Sequence, residues 1–514
     1  MNKFFLAILF AIFLLGFFLR TMFLPSLSLT FGYDQARDAV HAEEISQGHL
    51  KILGPPASTP GLFHGVFYYY VLAPAYKLGK GNPIVAAYWI AAINASAVFI
   101  IYYLTYLMTK KRSVGFLASF LFAISFEATQ YATWLSNPTL AVFTVPLMYL
   151  GLWIWIYPDK TQRTKWSLLG PILTAIGLGL SIQSEIFLAY HIVPLIIWLY
   201  ISRKKITKKQ LVYFFIFLTL SLSTMILSEF KFGFRSISAI KSLLSTSEPN
   251  LAYAKSLGDY LTLYLNQISR IFAFNSYPGN IGYGGVLIVG IVIFSLKNFK
   301  NQKNKIDPKI FLSTWLLSHL SVVTVGGVAT PFLMVGIGPA VSIILAIFLY
   351  SLWKKNYKPL SIFILVLLTY SNLGRIVSEN KNGSTLFSIQ KDMVLSKELK
   401  TIDFTYEKAQ SEPFSINSVT SPLWINIVWS YLYNWYGMPK YGYIPTWHGK
   451  GQEGQIIVLP ETQGKVNKNF LIIEPQDGIP PRFLDETLNT ENFYSKLINE
   501  TYFGTIRVQE RVKI

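Results

Sequence analysis

The sequence predicts an α-helical polytopic membrane protein with a small C-terminal α/β domain on the extracytoplasmic side. Three observations carry that prediction. Of 514 residues 52% are hydrophobic and only 14% charged, with a mean hydropathy of +0.40, whereas an ordinary globular chain is roughly 25% charged. Eleven apolar runs approach the length of about 20 residues with which a helix crosses about 30 Å of hydrocarbon. The basic residues fall in alternate connections between those runs, the pattern set by membrane insertion.

The runs lie near 4–24, 84–108, 113–131, 138–157, 166–182, 185–201, 211–228, 282–296, 310–325, 331–352 and 359–376. The first is longer than a signal-peptide core, and Leu24-Pro25-Ser26 offers no small-residue cleavage pattern, so it reads as an uncleaved helix. With the N-terminus in the cytoplasm, the inner segments hold 20 basic and two acidic residues, and the rest of the chain holds 25 and 24. The formal charge of +19 is therefore topological, and it argues for membrane lipid contact, not for nucleic acid. The absence of cysteine excludes disulfide scaffolds, thiol catalysis and thiolate metal sites.

Eleven spans place the C-terminus outside. The predicted domains are a transmembrane unit over 1–376, with outer loops at 25–83 and 229–281, and an extracytoplasmic α/β domain over 377–514. The tail has 14 basic and 15 acidic residues. Alternating runs predict strands at Gln455–Leu459, Asn469–Glu474 and Gly504–Val512, and helical patterns fall at Pro422–Tyr436 and Glu491–Glu500.

The first outer loop is the most informative. In Phe31-Gly32-Tyr33-Asp34-Gln35-Ala36-Arg37-Asp38 and onward to Glu43 and Glu44, acidic and apolar residues alternate as on an interfacial helix. Asp34 and Asp38, four apart, share a face. Asp34 stands at the membrane end of the loop, where an unpaired carboxylate is costly, and Glu43 and Glu44 read as a solvated face. Next, Leu53 to Gly61 is rich in glycine and proline and must be a loop. Phe63-His64 through Tyr68, Tyr69 and Tyr70 to Pro74 reads as a second interfacial helix, tyrosine favouring the headgroup level.

These segments resemble the opening of the GT-C glycosyltransferases, most closely the bacterial protein O-mannosyltransferase and aminoarabinose-transferase branch. The likeness continues in Trp134-Leu135-Ser136-Asn137-Pro138, similar to the family's W-N-P. It continues again in Ser228-Glu229-Phe230-Lys231 after the seventh run, and in Tyr431 to Pro445 of the tail. The resemblance implies a GT-C-like fold and transfer of a sugar, with inversion, from a polyprenyl-phosphate carrier to an acceptor outside the membrane. Asp34 matches the family's catalytic acidic residue and is the expected general base. The protein mannosyltransferases carry an Asp-Glu pair there, and this chain has Asp34-Gln35. Lys231 occupies the family's basic position beyond a helix end.

The chemistry agrees with that implication. A phosphate is already a good leaving group, so the site needs a carboxylate to deprotonate an acceptor hydroxyl and cations for the departing phosphate. The cation candidates are Lys231, Arg235, Lys241, Lys255 and Arg270, with Arg235 able to grip phosphate bidentately. The expected substrate-binding residues are Asp38, His64, Tyr69, Glu127, Asn137, Glu185, Glu229, Lys231 and Arg235. Glu127 is the alternative source of a second carboxylate. Gln130, His191 and His319 are polar residues at membrane depth, the two histidines reading as packing, and no metal-ligand spacing is found. The competing readings are a transporter or flippase of a lipid-linked substrate and an O-antigen polymerase or ligase. The first lacks paired repeats of broken helices. The second calls for arginine-rich outer loops late in the chain, where this sequence has a folded tail. Sugar, carrier length and acceptor (protein, glycolipid or polysaccharide) are not encoded legibly.

Overall fold

The computed structural model describes residues 3–157, 168–245, 256–277, 307–326, 330–388, 390–464 and 466–514. The span expected near 282–296 and the candidate Lys255 lie outside the described residues. Among those described, four helical segments are long and apolar enough to cross a membrane: Lys3–Ser26, Pro83–Thr109, Asn137–Ile156 and Lys358–Asn380. Two bent pairs raise the count to six, Arg112–Ala123 with Phe126–Ala132 at 55° and Lys208–Ser221 with Ser223–Lys231 at 58°. Leu169–Ser184, Ile186–Ile201 and Gly338–Lys354 are apolar but shorter. Among the described residues, four to six of the expected eleven spans are thus clear by length and composition. One physical reason is visible at Ser125, which interrupts the third run and accepts from Ala128 N at 3.1 Å to start a new helix.

Inside the bundle, Arg20 ties three helices together. Its Nε donates to Asn94 Oδ1 at 2.7 Å and its other nitrogens to the carbonyls of Gly16, Ala123 and Phe122. A fully bonded guanidinium is the tolerable form of a buried arginine, and it fixes where the first helix delivers the chain to the outer loop.

The tail holds a five-stranded sheet of order β2-β1-β3-β5-β4, made of β1 (Phe414–Val419), β2 (Thr446–Trp447), β3 (Lys468–Ile473), β4 (Ser495–Phe503) and β5 (Ile506–Lys513). β1 runs parallel to β2 and β3, and β5 is antiparallel to β3 and β4. β3 and β5 fall where the alternation predicted strands, but 455–459 is irregular and β1 was not foreseen. The helical pattern at Glu491–Glu500 is corrected: the helix Pro481–Tyr494 ends there and Ser495–Phe503 is a strand. Its β-branched and aromatic residues pair with β5 across the two-residue turn Gly504-Thr505, where Gly504 has φ +69°. The pattern over Pro422–Tyr436 becomes the helix Ile427–Leu432 followed by the wider turn Tyr433–Gly437.

One face of the sheet (Phe414, Ile416, Phe470, Ile472, Ile506, Val508) joins a core that also contains Leu29, Phe31, Ala36, Tyr68 and Tyr76. Tail and first outer loop therefore share one hydrophobic interior. Backbone bonds stitch them: Phe31 N donates to Met393 O and Leu395 N to Leu29 O. Tyr431 OH reaches both Glu43 Oε1 at 3.0 Å and Gly81 O at 2.6 Å. Glu43, expected on a solvated face, is thus a half-buried docking contact.

Candidate active site

The helix Tyr33–Ser46 begins right after the extended Gly32, and Gln35 Oε1 accepts from Gly32 N at 2.9 Å to cap its first turn. Gln35 Nε2 also donates to Trp134 O at 2.8 Å, which docks this turn on the segment before Asn137. On that turn Arg37 is the centre. Its Nη1 donates to Asp34 Oδ1 at 2.7 Å, and its Nε and Nη2 grip Asp38 Oδ1 at 2.9 and 2.6 Å. Asp34 and Asp38 differ in burial: their side chains are 50% and 1% exposed. Asp34 therefore presents a carboxylate held on one oxygen and open on the other. Asp38 is sealed behind the guanidinium, with Oδ2 unpartnered among the described residues.

Burial pushes the Asp38 carboxyl up to about 7; Arg37 opposes this and the Asp34 charge adds to it. For Arg37, burial works against the cation, but Asp38 and Asp34 outweigh it and hold its pKa above the ordinary value. Tyr69 sits over the same group, its hydroxyl pKa raised by burial and by Asp38.

The second wall is the loop before Phe67–Gly79. Pro56 bridges to Phe63, and His64 N donates to Pro55 O at 2.8 Å. Gly65 N then donates to Gln183 O at 2.8 Å. A side chain at Gly54 would strike the Gly65 backbone, and one at Gly65 would strike Gln183, so both glycines are needed for this close approach. The packing delivers His64 to the turn at Glu185: Nδ1 accepts from Ile186 N at 3.2 Å and lies 3.5 Å from Glu185 Oε1. An accepting Nδ1 makes His64 a neutral imidazole, and burial, with Arg37 nearby, lowers its pKa to about 3. Asn137 lies alongside, its Nδ2 donating to Ser184 O at 2.5 Å.

The structure thus gathers Asp34, Asp38, His64, Tyr69, Asn137 and Glu185 around two facing turns. Glu229 instead caps Arg235–Ser245, accepting from Ser236 N at 3.3 Å. Arg235 lies over the Phe63 ring at 5.2 Å, at the edge of the His64 loop. Lys231 is exposed, with its ammonium over Phe232 at 5.6 Å, and Lys241 is exposed too.

Glu127 belongs to a different group. Its Oε2 accepts from Asn275 Nδ2 at 2.6 Å, and its Oε1 lies 3.9 Å from Arg270 Nη1. Asn275 Oδ1 in turn accepts from Ser125 at 2.6 Å. Both Nη atoms of Arg270 are buried without hydrogen-bond partners among the described residues. The helix Phe126–Ala132 leads from this group toward Trp134, where Gln35 docks. Seven residues separate Glu127 from Trp134, about 10 Å at helical rise. Arg37 was missed as a site residue in its own right, although an arginine three residues after one aspartate and just before another is a readable signal for a shared ion pair.

The helical bundle, the site built on the loop after the first helix and the tail that shares a core with that loop make a fold that has counterparts among solved structures. Among solved structures, the chain is similar to ArnT from Cupriavidus metallidurans bound to undecaprenyl phosphate, at 11% identity over 99% of this chain and 98% of that one, with a TM-score of 0.63. The apo form of that ArnT matches over 98% and 97% at a TM-score of 0.59 and 11% identity. At that identity the likeness is one of fold. No protein-family model matches the chain, and no curated protein sequence matches it.

Proposed function

We propose that this chain is an inverting glycosyltransferase that moves a hexosyl or pentosyl residue from a polyprenyl-phosphate carrier to a hydroxyl on an extracytoplasmic acceptor. The observation that carries the reading is the half-exposed Asp34 carboxylate, fixed through one oxygen to a buried arginine. Such a group is oriented and has a second oxygen to receive a proton. In this account the acceptor hydroxyl gives its proton to Asp34 as its oxygen attacks the anomeric carbon, and the carbon–oxygen bond to the carrier phosphate breaks on the opposite side. Arg37 holds Asp34 in place. Asp38 keeps Arg37 in position and does not touch substrate.

The departing phosphate dianion needs cations. Arg270 is the favoured one, because its two Nη atoms, without a hydrogen-bond partner among the described residues, match the fork a phosphate accepts. Arg235 at the loop edge is second, and Lys231 third.

The neighbour's ligand supports a lipid phosphate as the kind of carrier to test, since that ArnT structure holds undecaprenyl phosphate. The test is a panel of radiolabelled sugars on undecaprenyl and dolichyl phosphate, incubated with membranes containing the protein and a crude envelope acceptor. Transfer of label from one donor, with the opposite anomeric configuration in the product, is the expected result. Label that crosses into sealed vesicles without being released from its carrier would mean a flippase instead.

A further inference from the structure

The sheet's other face is not a uniform interior. Alternation puts Ser415, Asn417 and Val419 of β1 beside Asn469, Leu471 and Ile473 of β3 on the side away from the shared core. The far half is apolar, Val419, Leu471 and Ile473 packing beneath Leu484 and Leu488 of the helix Pro481–Tyr494. The near half is polar, and there the helix stands off to leave a cavity of about 330 Å³, within the range of about 300–1,000 Å³ for ligand pockets. A parallel strand buried on both faces is normally apolar throughout. Ser415, Asn417 and Asn469 in that position cost desolvation unless something polar meets them.

The floor is only partly self-satisfied. Ser415 donates to Asn469 Oδ1 at 2.5 Å, and Asn417 Nδ2 to Glu491 Oε1 at 2.6 Å. His448 Nε2 shares that oxygen at 3.1 Å, while its Nδ1 is buried and unpartnered among the described residues. Aromatic rings make the walls: Trp424 is 40% exposed and Tyr494 59%, and Trp447 is buried beside them. At the mouth Lys450 lies over the Trp424 ring at 3.9 Å and pairs with Glu486 at 3.1 Å.

Lys450 and Lys513 in the lining are matched in number by Glu486 and Glu491, so the cavity carries no net charge to favour an anion, and the polar floor disfavours a hydrocarbon. A ligand with hydrogen-bonding edges and a flat apolar face satisfies both floor and walls. We propose that this cavity binds one or two units of an uncharged saccharide, at a site separate from Asp34. Its role as a hold on the acceptor or product glycan rests on the glycosyltransferase reading; the binding itself does not.

The test uses the full chain in nanodiscs, with saturation-transfer NMR and tryptophan fluorescence. The probes are maltose, cellobiose, chitobiose and mannobiose, with glucose 6-phosphate and inorganic phosphate as anionic comparisons. The expected result is saturable binding of at least one neutral disaccharide, weakened tenfold or more by Trp424→Ala, largely kept by Trp424→Phe and unchanged by Asp34→Asn. Trp424 is at the rim, so its replacement spares the fold. No neutral probe binding at 20 mM, binding indifferent to Trp424→Ala, or preference for the anions would overturn the proposal. Saccharide binding with no donor turnover would defeat the enzymatic reading alone. Turnover without saccharide binding would defeat this one alone.

Discussion

Two arginine–carboxylate groups lie in this protein, and they are built in opposite ways. In the outer group one guanidinium serves two aspartates, all its nitrogens are used, and one carboxylate faces outward. In the inner group Glu127 is the bonded partner, held by Asn275, while Arg270 uses its Nε on Gln267 and its two Nη atoms find no hydrogen-bond partner among the described residues. A cation saturated by its own chain can orient a base but has nothing left for a ligand. A buried cation with idle donors is costly to the fold and suited to an anion from outside. On the proposed function the contrast assigns proton removal to one group and phosphate holding to the other, and each half of it can be broken.

The largest expected effect is on the outer group. Arg37→Leu leaves Asp38 buried without its cation, which for a broken buried pair costs about 3–5 kcal/mol. Thermal unfolding of the purified protein should show that loss, and turnover should vanish with it. Asp38→Asn in the Arg37→Leu background should recover much of the stability and none of the turnover. Recovery of turnover would mean that Arg37 does not position the base.

Next comes the inner group. Removing the Arg270 side chain deletes charge-assisted bonds worth about 1.5–3 kcal/mol each, so Arg270→Ala should lower kcat/KM by about 10- to 100-fold. Lys231→Ala, which removes an exposed ammonium, should stay within threefold. The reverse ranking would shift phosphate holding to the seventh-run end. Steady-state kinetics on a single donor checks both.

The smallest effect is on the tail. Burial pushes the Glu474 carboxyl up to about 7, although Ser421 N, Gln390 and Trp429 donate to it, and burial together with Glu474 raises Glu398 as well. Acids with a raised folded pKa stabilise fully below their unfolded value, and that contribution is lost as pH rises through about 7. The melting temperature should therefore rise by several degrees from pH 8 to pH 5.5. Glu398→Gln should flatten the dependence, and a slope of opposite sign would contradict the burial argument.

Much of the outer site was legible because its residue types have few other uses at that place. Gly54, Pro55, Pro56 and Gly65 force a tight loop, and Asp34, expected at a membrane edge, calls for a partner. The partner itself was hidden, since Arg37 reads equally as a surface charge until the helix is docked. Long-range geometry set the rest. Glu127 meets Asn275 across 148 residues, a separation no local pattern encodes. β1 escaped notice because Phe-Ser-Ile-Asn-Ser-Val is short and half polar, and that polar half is what opens the cavity under the helix Pro481–Tyr494.

The central claim is that Asp34 removes the acceptor proton while Arg37 holds it. The most direct measurement is turnover of the active donor by Asp34→Asn protein beside wild type, with matched melting temperatures. The account predicts a fall of about 10²–10⁴-fold, the usual contribution of a positioned base, with donor binding retained. Turnover within threefold of wild type in a folded Asp34→Asn protein would contradict it and move the base to Glu185 or Glu127.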